Sequence, residues 1–406
     1  MNTIPPARYL DRTTAPHLTT LVLIAGIAAL SLNVFLPSLP SMASAFGVDY
    51  ALMQLSVSLY LAATAAIQIV IGPISDRFGR RPVMLTAAAL FTLASVAAML
   101  APTFGIFLVS RMAQAVIATG FVLSRAAVRD MVPSEQAASM IGYVTMGMSV
   151  VPMIGPVIGG ALDREFGWQA SFAVLALSGL GLWLLMYFDM GETAKTRAAS
   201  FSEQFRQYPA LLTSQRFWGY CLAAAFASGA FFAYLGGAPY VATTFYKMDA
   251  ATLGLYFGAP AVGYMAGNFL SGRYSMRVGV NRMVLAGALF STTGMIVLAL
   301  LAFAGHDGPN VFFSLMVSVG LGNGLLMPNS NAGMLSVRPN LAGSAAGLGG
   351  AFTIGGGAAL SALAGFVLGP DTGPEPLILL MLATSVLSVI CILWVMHRAR
   401  VVGNTA

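Results

Sequence analysis

Long apolar runs constrain the fold of this chain more than any other feature. Twelve stretches of mainly apolar residues can be marked out, and each approaches the length of about 20 residues that a helix needs to cross a bilayer. Of the 406 residues, 58% are hydrophobic and 8% are charged, whereas soluble domains carry about 25% charged residues. So few charges could not cover the surface of a water-soluble fold. The sequence therefore predicts an all-α membrane protein.

The twelve predicted spans form two sets of six, separated by the longest polar stretch of the chain. We expect a cytoplasmic tail (1–17), a six-helix bundle (18–190), a cytoplasmic linker (191–212), a second six-helix bundle (213–397) and a cytoplasmic tail (398–406). Numbered 1 to 12, the predicted spans are 18–39, 52–72, 83–101, 104–126, 137–161, 167–189, 214–237, 251–272, 283–304, 311–333, 341–366 and 376–397.

The basic residues predict the orientation of the chain. If the N-terminus is cytoplasmic, nearly all of the 20 Lys and Arg residues fall on the cytoplasmic side. Arg164 and Lys247 fall outside, and Arg111 lies within span 4. The 14 acids divide evenly between the sides, so only the cations are biased, as the positive-inside rule requires. This predicts that both termini are cytoplasmic, and it explains the net charge of +6 without nucleic acid.

The connection between spans 2 and 3 carries the strongest local pattern, Gly-Pro-Ile-Ser-Asp-Arg-Phe-Gly-Arg-Arg-Pro, over residues 72–82. The glycines allow a tight turn. The single carboxylate, Asp76, can pair with the arginines or lie at the positive N-terminus of a neighbouring helix. The pattern resembles the G-x-x-x-D-R-x-G-R-R signature of the major facilitator superfamily. The alternative is a basic loop that only sets topology.

That resemblance implies the major facilitator fold, with two six-helix bundles around a central cavity. It also implies that Asp76 contacts the start of span 11, near Leu341, and holds the cytoplasmic side closed. Glycine, arginine and glycine recur 200 positions later, after span 8, as expected for repeated six-helix units. The repeated residues are Gly72, Arg77 and Gly79, and Gly272, Arg277 and Gly279. The predicted gate residues are Gly72, Asp76, Arg77, Gly79, Arg80 and Arg81.

Span 5 is unusually rich in glycine and proline. Such residues loosen a helix and let another helix pack closely. The stretch resembles the G-x-x-x-G-P-x-x-G-G antiporter motif of drug exporters, with Val151 where glycine is usual. The resemblance implies export, and the alternative is an ordinary packing helix. The predicted residues are Pro152, Gly155, Pro156, Gly159 and Gly160.

Arg111 is a charge inside a predicted span, which costs about 2.5–3.5 kcal/mol on insertion scales and indicates function. It resembles the span 4 arginine of the superfamily, which contributes to proton coupling or substrate binding, although Ala115 replaces the usual glycine. The alternative is a structural or snorkelling arginine. Segments 31–40 and 124–130 resemble the Bcr/CflA-type drug exporters, which typically carry an acid at the position of Asn33.

The spans carry no Asp or Glu well inside them, and the three histidines lie at ends or in loops. Proton antiport needs a group that takes up and releases protons, and asparagine cannot do so. Three explanations remain open. An acid near a helix end, such as Asp163 or Asp49, reaches inward; or the substrate is anionic and pairs with Arg111; or transport is not coupled to protons.

We expect this chain to export drug-like hydrophobic or amphiphilic molecules across the bacterial inner membrane, with proton antiport as the family habit and the proton gradient as the driving force. One alternative is an importer or uniporter of a small metabolite, either anionic or uncharged, without proton coupling. The other is a membrane enzyme or sensor. No pattern typical of catalysis, nucleotide binding or metal ligation is found, so we expect no enzyme and no cofactor. The expected partners are the solute and the lipid bilayer, and the chain is expected to be a monomer. The predicted substrate-binding residues are Arg111, Asn33, Gln114, Tyr60, Tyr234, Asn268 and Asn323.

Overall fold

The computed structural model describes residues 8–132, 140, 144, 151, 154–194, 211–306, 308–337, 342–369 and 372–401. Most of these residues are helical, and none of them forms a β-strand. Helices of the first half are α1 (Leu18–Asn33), α2 (Leu39–Phe46), α3 (Tyr50–Phe78), α4 (Arg80–Met99), α5 (Phe104–Gln114), α6 (Thr119–Met131), α7 (154–166) and α8 (Gln169–Asp189). Helices of the second half are α9 (Gln215–Tyr240), α10 (Ala250–Phe257), α11 (Ala259–Val278), α12 (Val280–Phe303), α13 (Pro309–Val337), α14 (Ala342–Val367) and α15 (Glu375–Val401).

Ten helical stretches among the described residues are long and apolar enough to cross a membrane. They correspond to predicted spans 1–4, 6, 7 and 9–12. Span 5 lies partly outside the described ranges, and span 8 is divided between α10 and α11. The expectation of an all-α membrane protein is therefore confirmed.

Prolines interrupt the helices of two of the predicted spans. In span 1, α1 ends at Asn33 and a 3-10 turn, Leu36–Ser38, leads into α2. Pro37 has no N–H to donate to the preceding turn, and Pro40 lies in the first turn of α2, where its fixed φ is compatible with a helix start. In span 8, Pro260 lies in the first turn of α11.

The chain forms two compact units. Unit 1 comprises Met1–Phe35 and Ala66–Phe201, and unit 2 comprises Leu36–Ala65 and Ser202–Ala406. The boundaries pass through span 1 and through α3. The predicted division into bundles at 18–190 and 213–397 stays a prediction.

In unit 1, Asp189 ties the N-terminal segment to the end of α8. Its fully buried carboxylate accepts hydrogen bonds from the backbone N–H of Leu10 at 2.7 Å and of His17 at 2.9 Å. It also accepts one from the Thr20 hydroxyl at 2.7 Å. An acceptor at this position satisfies the free N–H groups and the positive dipole at the start of α1. The segment from residue 8 onward is therefore fixed against the helices.

In unit 2, glycines bring α13 into backbone contact with its neighbours. A Cβ at Gly320 or Gly324 would overlap the backbone of α11, and one at Gly322 would overlap the carbonyl oxygen of Gly287 in α12. Membrane helices have no hydrophobic driving force for association, so close backbone approach stabilises their packing.

Candidate functional site

The turn between α3 and α4, here called the first turn (residues 72–82), is the candidate gate. Gly79 separates the last residue of α3, Phe78, from the first of α4, Arg80. Its backbone has φ 96° and ψ 150°, a conformation that residues with a side chain rarely adopt. The reversal of the chain at this point therefore depends on glycine.

Arg80 ties three helices together at the first turn. Its guanidinium pairs with Asp76 and donates to the Ser75 hydroxyl, both on α3. Its Nε donates to Oδ2 of Asp130, near the end of α6, at 3.3 Å. The Arg80 side chain is only 12% exposed, so water screens these pairs less than it screens pairs on an open surface. Asp130 was not predicted to belong to the gate.

Glu192 is a second residue of the candidate gate that the sequence did not predict. It follows α8, yet its carboxylate accepts hydrogen bonds from the backbone N–H of Arg80 at 2.9 Å and of Arg81 at 3.3 Å. It thus caps α4, whose own N-cap, Gly79, has no side chain to do so. A Cβ at Gly79 would overlap this carboxylate. The start of α4 has no acid and no capping side chain of its own. This was the sequence signal that a cap must come from another part of the chain.

The two remaining arginines of the first turn have different surroundings. Arg81 donates to the carbonyl oxygen of Tyr187 at 3.0 Å, and its guanidinium carbon lies 5.8 Å from the centre of the Tyr187 ring. Arg77 is exposed and lies 5.6 Å from the centre of the Phe78 ring. The gate charges are therefore fixed mainly through Arg80 and Arg81.

Gly72 lies within α3, and its carbonyl oxygen accepts a hydrogen bond from Ser75 at 2.8 Å. Leu341, near which Asp76 was expected to make contact, lies outside the described ranges together with residues 338–340. That contact stays a prediction.

Arg111 lies in a buried polar cluster of unit 1. Its side chain is fully buried near the end of α5. It donates to Oε1 of Gln114 at 2.6 Å and to the carbonyl oxygen of Ser31 at 3.1 Å. The guanidinium carbon lies 4.3 Å from the centre of the Phe35 ring, a cation–π contact. Gln114 donates in turn to Ser95 at 2.7 Å, so α1, α4 and α5 together position the cation.

Asn33 lies close to this cluster in sequence, but its amide donates to the carbonyl oxygen of Ala29 in its own helix, at 2.7 Å. Arg111 contacts Ser31 and Phe35 of this segment. The role of Asn33 in substrate binding stays a prediction. Of the two acids put forward for proton exchange, Asp49 is exposed and Asp163 is half-buried in α7.

The glycines of α7 pack against the segment that leads to this cluster. A Cβ at Gly159 would overlap the carbonyl oxygen of Val34, and one at Gly155 would lie 3.5 Å from Cβ of Asn33. Val34 immediately precedes Phe35, whose ring lies over Arg111. The glycine motif and the buried cation are thus linked through two adjacent residues. Gly155, Pro156, Gly159 and Gly160 are buried, and Pro152 lies outside the described residues.

The other predicted substrate-binding residues lie in unit 2. Tyr234 is fully buried, donates to the carbonyl oxygen of Phe257 at 3.1 Å and stacks on its ring at 4.8 Å. Asn268 is half-buried and donates to the carbonyl oxygen of Tyr264 at 2.8 Å. Tyr60 is 2% exposed and Asn323 7%. Their role in substrate binding stays a prediction. In the described part of the chain, no His, Cys, Asp and Glu side chains cluster in a way that would hold a metal ion.

Comparisons with known proteins agree with the predicted family. Residues 21–362 match the Major Facilitator Superfamily. The chain is 28% identical to the chloramphenicol resistance protein of Pseudomonas aeruginosa, over 73% of this chain and 71% of that protein. It is 26% identical to the bicyclomycin resistance protein homologue of Haemophilus influenzae, over 96% and 98%. These two names support the resemblance to drug exporters that the motifs indicated.

The fold is also that of a solved transporter. A bacterial homologue of the human lysosomal transporter Spinster, in an inward-facing and unoccupied conformation, superposes with a TM-score of 0.72. Its sequence identity is 16%, and the match covers 94% of this chain and 96% of that one. The sequence match, the relatives and the fold agree, and the chain belongs to the Major Facilitator Superfamily, a family of membrane transporters rather than enzymes.

Proposed function

We propose that this transporter exports drug-like hydrophobic or amphiphilic small molecules across the bacterial inner membrane. It acts as a monomer with both termini in the cytoplasm, works by alternating access and exchanges the solute for protons. The names of the two relatives support drugs as the class of solute. The glycine-rich α7, which resembles the antiporter motif of exporters, supports the direction.

One observation carries this proposal: the glycine motif of α7 packs against Val34, and the next residue, Phe35, covers the buried Arg111 cation. Gly159 packs on the Val34 backbone, and Phe35 packs on Arg111. Groups packed this closely cannot move independently, because protein interiors are tightly packed. A rocking motion of α7 is therefore transmitted to Arg111, and the Phe35 ring and the guanidinium provide one apolar and one polar contact for an amphiphilic solute.

Proton exchange requires a group that binds and releases a proton as the protein changes conformation. Asp163 is half-buried and belongs to α7 itself, whereas Asp49 is exposed. Asp163 is therefore the carboxylate to replace first. An Asp163→Asn variant that loses only the response to a pH gradient would support this role. A variant that responds as the wild type does would assign the exchange elsewhere.

The charge of Arg111 also favours a second candidate function. A guanidinium buried within the membrane attracts an anionic group. An importer or uniporter of a small anionic metabolite, without proton coupling, would use that attraction directly.

Drug susceptibility separates these two functions. The chain is expressed in a bacterial strain that lacks its main drug exporters and is tested against a panel that includes chloramphenicol and bicyclomycin. Export predicts a raised inhibitory concentration for several amphiphilic compounds, which the Arg111→Ala variant abolishes at equal expression. Unchanged susceptibility across the panel would contradict drug export and favour the metabolite carrier.

A further inference from the structure

The turn between α11 and α12, here called the second turn (residues 272–282), exposes a basic and apolar surface. Met276 is 99% exposed, and the three arginines of the turn are exposed as well. The sequence from residue 259 to residue 303 contains no Asp or Glu, and the described residues form no ion pair with these arginines. The residues of this surface, here called the second-turn patch, are Arg273, Tyr274, Met276, Arg277, Val278 and Arg282.

The charges of the patch are placed where they repel one another. Arg273 and Arg277 are four residues apart near the end of α11, with Arg277 in its last turn, so they lie on one face of the helix, and like charges at this spacing destabilise it. Arg282 lies in the first turn of α12, where the helix dipole is already positive. An anion bound among the three arginines would relieve both repulsions.

The first turn shows where an anion fits this backbone. Gly79 and Gly279 have nearly the same conformation, with φ 96° and ψ 150° at the first and φ 90° and ψ 149° at the second. At the first turn the Glu192 carboxylate lies against the glycine and accepts from the next two N–H groups. At the second, no atom of the described residues lies within 4 Å of a Cβ placed on Gly279. α12 also begins without a side-chain cap.

We propose that the second-turn patch binds the headgroup phosphate of an anionic phospholipid. Arginine binds phosphate oxygens through two parallel hydrogen bonds. The patch lies at the start of the membrane helix α12 and the end of α11. This is the side that the positive-inside rule assigns to the cytoplasm, where the leaflet carries the anionic lipids. Tyr274, Met276 and Val278 interleave with the arginines and suit the boundary between headgroups and acyl chains. This combination favours a lipid over a soluble phosphate compound, and the proposal does not depend on the transported solute.

The test uses the purified full-length protein and native mass spectrometry with phosphatidylglycerol and phosphatidylcholine. The triple variant R273Q/R277Q/R282Q removes the charges of the patch. The matched control, R8Q/R12Q/R400Q, removes three exposed arginines from elsewhere on the predicted cytoplasmic side. Because each arginine near an anionic surface adds substantial affinity, we expect the patch variant to bind phosphatidylglycerol about tenfold or more weakly. The control should bind it like the wild type, and phosphatidylcholine should bind weakly to all three proteins.

Three results would overturn the proposal. Equal losses in the two triple variants would show that only net charge matters. Glycerol phosphate that competes as strongly as the intact lipid would show that the patch binds a soluble anion. A patch variant that keeps its phosphatidylglycerol affinity but melts at a lower temperature in phosphatidylcholine would show that the patch holds part of the chain itself, such as the 191–212 linker.

Discussion

The first and second turns share a backbone conformation but differ in their side chains. Both reverse the chain at a glycine of positive φ, Gly79 and Gly279, with dihedral angles that differ by a few degrees. At the first turn, three carboxylates surround the arginines: Asp76 and Asp130 pair with Arg80, and a third caps α4.

At the second turn, Met276 replaces Asp76 and Val280 replaces Arg80. The arginines that remain face outward. The glycines therefore determine the course of the chain, whereas the charged residues determine whether a turn is fixed to its own unit or is available to a partner. Among the residues that the structure describes, ion pairs form at the first turn and not at the second.

The largest expected effect comes from adding a Cβ at each glycine. Gly79→Ala and Gly279→Ala should each lower the free energy of unfolding by about 1–3 kcal/mol, because both positions have a backbone that disfavours alanine. Gly79→Ala should cost about 0.5–2 kcal/mol more, since it also displaces the Glu192 cap. Denaturation in detergent micelles measures both. Equal losses would contradict the difference between the turns.

The next effect concerns transport. Asp76→Asn removes one carboxylate from Arg80, whereas Asp130 still holds the arginine, so the protein should fold. A hydrogen-bonded charge pair contributes about 1.5–3 kcal/mol, and about 1.4 kcal/mol is a tenfold change. We expect the transport rate to fall about tenfold or more. The Met276→Asn variant, the matched change at the second turn, should transport normally. A comparable loss in that variant would show that the two turns do not differ in their role in transport.

A smaller effect is expected from the cap of α4. Glu192→Ala should lower the free energy of unfolding by about 0.5–2 kcal/mol, because two N–H groups lose their acceptor. Glu192→Gln keeps an oxygen and loses the favourable interaction with the helix dipole, which is about 0.3–1 kcal/mol. Thermal unfolding of the two variants should therefore rank them in that order. The reverse order would show that Glu192 does not act as a cap.

The smallest effect is expected when a pair like that of Asp76 and Arg80 is introduced at the second turn. Met276→Asp with Val280→Arg recreates the four-residue spacing of Asp76 and Arg80 at the second turn. It should stabilise that turn by about 0.2–1 kcal/mol, as exposed ion pairs do. A double-mutant cycle measures the coupling of the two substitutions. A coupling as large as that between Asp76 and Arg80 would show that Ser75 and Asp130, the other partners of Arg80, add nothing to the pair.

The sequence was informative where the signal is local. Apolar runs predicted the spans, and the glycine and arginine spacing predicted the first turn and its repeat. Arg111 was recognised because a charge within an apolar run is unusual. The partners of these residues were harder to predict, because Glu192 lies 112 positions from Arg80 and no periodic pattern connects two such distant residues.

Packing also decided features that hydropathy cannot show. Pro37 interrupts the helix of span 1 without changing its apolar character, so hydropathy did not show that α1 ends at Asn33. Phe35, an apolar residue, covers the Arg111 cation, and the amide of Asn33 donates to the carbonyl oxygen of Ala29 within its own helix.

Transport by the purified protein in liposomes tests directly whether the protein exchanges drugs for protons and whether Asp76 is needed for it. Uptake of radiolabelled chloramphenicol is followed with and without an imposed pH gradient, for the wild type and for the Asp76→Asn variant. We expect the wild type to accumulate the drug against its gradient when protons flow the opposite way, and the variant to accumulate it about tenfold or more slowly. Wild-type flux that ignores the pH gradient, or equal rates for the two proteins, would contradict this expectation.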